Sequence, residues 1–198
     1  MALSLLKQGT GEEAGEYQNR IGLEAERLDK LIGQLLTLTR IDSGVDSNLR
    51  ETFDLANLVQ EVAADGDFEA RAQNRSVRFT GAESCAMSGV AELIRSAIEN
   101  VVRNAVRHTA PGTSVEVTIE RQKAMALLRV RDHGPGVPEE MLRDIFLPFH
   151  RAQPSANGNS GLGLAIADRA VRMHNGTIQA YNAREGGLVI DIKLPLMG

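Results

Sequence analysis

"AIENVVRNAVRHT", Ala97 to Thr109, has the periodicity of a helix yet sets Asn100, Asn104 and His108 one turn apart along it. Asparagine is a poor residue for a helix interior because its amide competes for backbone hydrogen bonds. Leu93, Ile94, Ala97, Ile98, Val101, Val102, Ala105 and Val106 recur at helical spacing and predict a helix over 89–108 with one broad buried face. With successive residues about 100° apart, Asn104 and His108 fall along one edge of that face and Asn100 just beyond it. The polar stripe therefore runs where core meets solvent. Two readings stand open: the amides satisfy nearby loop backbone, or they face a ligand. An amide oxygen is a neutral, hard donor of the kind Mg²⁺ accepts.

Outward from this helix, the pattern is mixed α/β. A helix is expected over about 55–73 and strands at "SVRFTG" (76–81) and around 86–87. Alternating strands follow at "SVEVTIE" (114–120) and "MALLRVRD" (125–132), a helix over 162–174, and closing strands at 176–183 and 187–196. This order predicts helices on one face of a largely antiparallel sheet. Upstream, residues 17–42 read as a helix in which Ile21, Leu28 and Leu35 recur every seven residues, with Ala25, Ile32, Leu31 and Leu38 on the same side. That seam suits a coiled coil or helical hairpin, the alternative being one amphipathic helix packed on its own domain. "ALSLLKQ", joined to this helix by the Gly-rich turn "GTGEEAG", reads as the tail of an antiparallel partner helix, and "DSGVDSN" as a linker.

Two further stretches carry chemistry. In "RVRDHGPGVP", Asp132 ends an apolar strand and Gly134 and Gly136 follow, so backbone can approach a flat ligand closely or take positive φ. A carboxylate there can accept a hydrogen bond from a ligand amino group. In "GNSGLGLAIADRAV", Gly161 and Gly163 open a helix whose free N–H groups and dipole suit phosphate. No lysine follows at the spacing of the lysine-bearing phosphate loop, and the dinucleotide-binding glycine spacing is not met. A net charge of −4 over 198 residues argues against a nucleic-acid partner. The one cysteine, Cys85, excludes an intrachain disulfide, fits a reducing compartment and reads as a small buried apolar residue. No apolar run reaches the length of a membrane span, so no membrane contact is expected of this chain.

The order of these elements is more specific than any one of them. "ENVVRNAVRHT", "DHGPGVP", "IFLPFHR" and "SGLGLAIADRAV" resemble, in sequence, the N, G1, F and G2 boxes of bacterial sensor histidine kinases, and within them the CpxA-like envelope sensors. "RIGLEAERLDKLIGQLLTLTRIDSG" is similar to the second helix of that family's dimerisation and phosphoacceptor hairpin. The resemblance implies an α+β fold, the Bergerat (GHKL-type) ATP-binding sandwich. A partial helical hairpin (1–46) would precede a catalytic ATP-binding domain (47–198). It implies ATP and Mg²⁺ as ligands, with Asn104 on the metal and Asn100 supporting metal or phosphates. Arg107 would reach phosphate and His108 flank the adenine. Asp132 would read the adenine amino group, with Gly134 and Gly136 in the turn beneath the base. Phe146 and Phe149 would anchor the lid, unless they are plain core, and Arg151 would meet the γ-phosphate. Ser160, Gly161, Leu162 and Gly163 would line the phosphates.

Gyrase-like and Hsp90-like relatives carry a glutamate at the position of Asn100 as general base for water. An amide cannot take a proton, and Glu99 points about 100° away around the helix. The resemblance thus implies a protein-histidine kinase that holds ATP without efficient hydrolysis and transfers its γ-phosphoryl. That family's phosphoacceptor histidine lies in an "HELR-P"-like box on the first hairpin helix. Here the four histidines are His108, His133, His150 and His174, none in the hairpin region. The expectation is a chain that begins inside the hairpin, binds Mg-ATP and cannot phosphorylate itself. It would be the cytoplasmic part of a bacterial inner-membrane sensor, paired with a second copy through the hairpin and passing phosphate to a response regulator. A regulatory nucleotide-binding module and an anti-sigma-type serine kinase are the other readings, the hairpin remnant favouring the sensor kinase.

Overall fold

The computed structural model describes residues 11–43, 49–81, 84–150 and 160–197. Arg151, "ALSLLKQ" and most of the "DSGVDSN" linker lie outside the described residues. The elements run α1 (Gly11–Ser43), β1 (Glu51–Asp54), α2 (Leu55–Arg71), β2 (Ser76–Gly81), β3 (Ala86–Gly89), α3 (Ala91–His108), β4 (Ser114–Gln122) and β5 (Met125–Arg131). Two short 3-10 turns, Glu139–Met141 and Asp144–Phe146, lead to α4 (Gly163–Met173), β6 (Thr177–Asn182) and β7 (Leu188–Pro195).

Five strands form one mixed sheet in the order β2-β4-β5-β7-β6, in which β2 and β4 run parallel and all other pairs antiparallel. β3 does not join it: it pairs antiparallel with β1, a strand too short for periodicity to reveal. Alternation sorts the main sheet into two faces. Val115, Val117 and Ile119 of β4, Ala126, Leu128 and Val130 of β5 and Ile190 and Ile192 of β7 are buried in one core with the apolar faces of α2, α3 and α4. On the other face Arg129 grips the buried Asp191 with two bonds of 2.8 and 2.9 Å.

Local chemistry fixes where the helices begin. Asp54 accepts N–H bonds from Ala56 and Asn57 and so caps α2, while it also takes the Cys85 N–H and the Ser84 hydroxyl. One carboxylate thus ties the start of α2 to the approach to β3. Cys85 itself is fully buried, as expected of a lone cysteine. Asp67 plays a similar part further on, accepting from Val77 N–H at 2.9 Å and from Arg71.

Two expectations for the N-terminal helix need correction. The stretch from Gly11 to Gly15 is not a turn but the first part of α1. Glycine costs a helix about 1 kcal/mol without forbidding it, and a side chain at Gly15 would meet only open space. The single seam is also divided. Leu38 and Ile41 are buried, with Leu31 packed beside them, whereas Ile21, Leu28, Ile32 and Leu35 stand about half exposed. One side of the helix therefore packs on its own domain, while the other presents an apolar stripe. Among the described residues, no helix is long and apolar enough to cross a membrane.

Candidate nucleotide site

All eight apolar positions read from the sequence line the buried face of α3. The two asparagines on its edge behave differently. Asn100 is half-buried and donates its Nδ2 back to the Ser96 carbonyl at 2.8 Å. Its Oδ1 lies so close to Gly163 that a Cβ there would approach to 2.8 Å. For Asn100, then, the backbone-satisfying reading is half right, and the other half of the amide lies against the start of α4. Among the described residues the Asn104 amide has no hydrogen-bond partner, although it too is half-buried. One turn on, burial pushes the Arg107 guanidinium down from its usual value, and no carboxylate among the described residues pairs with it. Burial likewise lowers the His108 imidazole, partly offset by the charge of Asp132. His108 thus sets a donor group at the end of α3 near that carboxylate, with the Arg107 cation one residue before it.

Asp132 is 2% exposed. Its Oδ1 accepts from Gly134 N–H at 2.8 Å and Leu188 N–H at 3.1 Å, while Oδ2 has no partner among the described residues. The carboxylate is held rigidly by one oxygen and keeps the other for a donor. The glycines after it are required by contact. A Cβ on Gly134 would come within 2.4 Å of the His108 carbonyl, so loop and helix touch backbone to backbone. Gly136 has φ of +74°, and a Cβ there would meet Asn182 Oδ1 at 2.6 Å.

Asn182 is a site residue that the sequence did not disclose. From β6 it accepts from Val137 N–H at 2.9 Å and donates to the Val137 carbonyl at 2.7 Å, pinning the far side of the loop. Gly187 was missed as well. Its φ is +90°, and a Cβ would stand 1.9 Å from the Asp132 carbonyl. The only sequence signal was the Gly186-Gly187 pair before the last strand. Thr109, fully buried after α3, accepts from His133 N–H at 3.0 Å.

The phosphate-side elements are arranged more unevenly than expected. The α4 helix opens at Gly163, and no side chain among the described residues caps it or occupies the N–H groups of its first turn. Gly161 has φ of +69°, and its carbonyl accepts from Phe149 N–H at 3.0 Å, which joins the phenylalanine segment to the glycine segment. Leu162 has 1% exposure and belongs to the core, so only its backbone could border a ligand. Even that N–H is directed at Ser160 Oγ, 3.2 Å away. The Ser160 hydroxyl in turn donates to Gln34 Oε1 of α1 at 2.6 Å. Its proton is therefore occupied by the N-terminal helix. Phe146 is half-buried against the core, but Phe149 is 66% exposed with φ of +63°, so core packing does not explain the second phenylalanine.

Contacts thus bring together the four separated segments: Asn100 on Gly163, Gly134 on His108, Gly187 on Asp132, Phe149 on Gly161. Residues 89–198 match the profile of the histidine kinase-, DNA gyrase B- and HSP90-like ATPases. The chain belongs to that family. It carries an ATP-binding catalytic domain of the sensor histidine kinase type. Sensor histidine kinase CpxA of Escherichia coli K12 is 34% identical to it over 99% of this chain and 43% of its own length. Sensor protein kinase PmrB of Pseudomonas aeruginosa is 32% identical over 89% of this chain and 37% of its own. The chain thus spans less than half the length of these relatives. Among solved structures, a mycobacterial sensor histidine kinase, MprB, superposes with a TM-score of 0.66 at 27% identity, covering 74% of this chain and 97% of the other.

Proposed function

We propose that this chain binds Mg-ATP in the cleft between α3, the Asp132 loop and the start of α4, and serves to transfer the γ-phosphoryl to a histidine rather than to water. Asp132 Oδ2 takes the adenine amino group, beside the turn of Gly134 and Gly136. The open N–H groups at Gly163 face phosphate, with Arg107 supplying charge. Asn104, whose amide has no partner among the described residues, offers Mg²⁺ an oxygen. Among the described residues there is no group of three His, Cys, Asp or Glu side chains that could hold a metal, so the remaining ligands would be phosphate and water. The ion would neutralise charge on the transferred group; the chain's own contribution is positioning.

The observation that carries the choice of transfer over hydrolysis is the surroundings of Asn100. Where gyrase-like and Hsp90-like relatives have a carboxylate, this amide is committed to Ser96 and to the close approach of Gly163. The adjacent carboxylate, Glu99, faces Arg103 at 3.5 Å. Neither group is placed as a base for water.

By this reading the acceptor is a histidine on the first hairpin helix of the whole protein, since none of this chain's histidines lies on α1. The division of the chain at residues 46 and 47, pairing with a second copy through the exposed stripe of α1, relay to a response regulator and anchorage of the whole protein in a membrane belong to the same proposal. Incubation with γ-labelled Mg-ATP tests it, with the chain alone and with a separate hairpin domain bearing the histidine. Label is expected only on the hairpin domain, and Asn104→Ala should abolish Mg-dependent binding. Label on this chain alone, or phosphate release faster than transfer, would overturn the reading. Binding without label on either partner would leave a regulatory nucleotide module.

A further inference from the structure

Between α3 and the Asp132 loop runs a short relay of hydroxyl groups whose direction is fixed. Thr109 Oγ1 accepts from His133 N–H at 3.0 Å. An N–H can only donate, so the Thr109 proton must go elsewhere, and Thr113 Oγ1 is 2.9 Å away. Thr113 then donates to the Ala110 carbonyl at 2.6 Å, which can only accept. Ala110 also bonds back to the loop, its N–H donating to the His133 carbonyl at 3.3 Å. Beyond it the His133 ring reaches Glu116 Oε1, 3.1 Å away on the opposite face of the sheet.

His133 is therefore clamped by both backbone groups and by its ring. It stands between Asp132 and Gly134, the two residues that set the loop's depth against α3. A buried hydroxyl without partners costs free energy, and valine would match threonine in shape. The hydroxyl at a fully buried position is thus explained by the clamp and not by packing.

We infer that Thr109 is a positioning residue for base recognition: its hydroxyl, acting through the His133 amide, sets Asp132 at the depth where its carboxylate selects adenine. The inference rests on the proposed reading of Asp132. It predicts a specific kind of damage. Loss of the hydroxyl lets the loop shift relative to α3 and weakens selection of the base. The phosphate side, built on Asn104, Arg107 and α4, keeps its grip.

The test compares, in the full chain with Mg²⁺, the affinities of ATP and of purine riboside triphosphate, which lacks the 6-amino group, by calorimetry. Thr109→Val should shrink the ratio of the two affinities about three- to tenfold, the value of one hydrogen bond. Affinity for the amino-less analogue should stay unchanged, and Thr109→Ser should restore the ratio. An unchanged ratio, or an equal loss of both nucleotides with the fold intact, would overturn the inference. Should Thr109→Val not fold, Thr113→Val removes the next acceptor in the relay and must shift the ratio the same way; a normal ratio there overturns it equally. Asp132→Asn separates the two levels. If that variant keeps the wild-type ratio, the adenine reading itself is wrong.

Discussion

Replacement of His174 should be among the most damaging single changes outside the nucleotide site, and its cost can be worked from its contacts. The side chain is 1% exposed at the end of α4. Nε2 accepts from Val90 N–H, at the start of α3, at 2.9 Å, and Nδ1 lies 2.7 Å from the Ala170 carbonyl. A carbonyl must receive the proton and an N–H must give one, so the ring is neutral with its hydrogen on Nδ1. Gly89 is glycine because the ring lies where its Cβ would be, 2.5 Å from Cδ2. In His174→Ala the Val90 N–H is left buried and unpaired, at about 1–3 kcal/mol. The lost ring leaves a cavity worth about 2–3 kcal/mol more. The sum, about 4 kcal/mol, is a large part of the stability of an ordinary domain and corresponds to a fall in Tm of about 8–16 °C for this chain length. Chemical denaturation at pH 8, followed by circular dichroism, measures it. A second signature follows from protonation. Burial, with the nearby charge of Arg50, pushes the His174 imidazole below its ordinary value of 6.5, against the opposing effect of Ala170. The unfolded chain then binds a proton first, so this contribution is complete above the ordinary value and is lost as pH falls below it toward the folded value. Wild type should weaken from pH 7 to pH 5 more steeply than His174→Ala. Parallel pH profiles, or a loss below about 1 kcal/mol, would refute the contact reasoning.

Three further outcomes are expected. Gly187→Ala combines a strained positive φ with a Cβ 1.9 Å from the Asp132 carbonyl; it should cost about 3–5 kcal/mol and weaken ATP binding by calorimetry, and a Tm shift under about 2 °C would contradict the close approach. Asp54→Ala removes the cap of α2 and the acceptor for Cys85 N–H, for about 2–3 kcal/mol in urea denaturation. Burial alone would raise the Asp54 carboxyl, but its bonds from Ser84, Cys85, Ala56 and Asn57 hold it below the usual range. The variant should therefore lose less stability than wild type as pH falls through and below the usual carboxylate range near 4. Gln34→Ala and Ser160→Ala should couple by about 0.5–1.5 kcal/mol in a double-mutant cycle on unfolding, because they share one hydrogen bond between α1 and the start of α4; strict additivity would exclude that contact.

Legible from the residues alone were the α3 helix down to each buried position, the strands of the main sheet and the placing of Asn100, Asn104 and Asp132 as edge or strand-end groups. These follow from local periodicity and from turn chemistry, which a chain records residue by residue. Which of these groups have partners among the described residues depends on how the elements pack. Asn100 and Asn104 are the same residue type one turn apart, and the first is set apart by its bond to the Ser96 carbonyl and by the approach of Gly163. Asn182, Gly187, Thr109 and His174 act through partners far along the chain, and no spacing announces such pairs. The α1 seam divided for the same reason: a heptad pattern shows that a face is apolar, while what covers it depends on the neighbour that packs there. Side-chain period is a property of one element, but commitment of a polar group is a property of two.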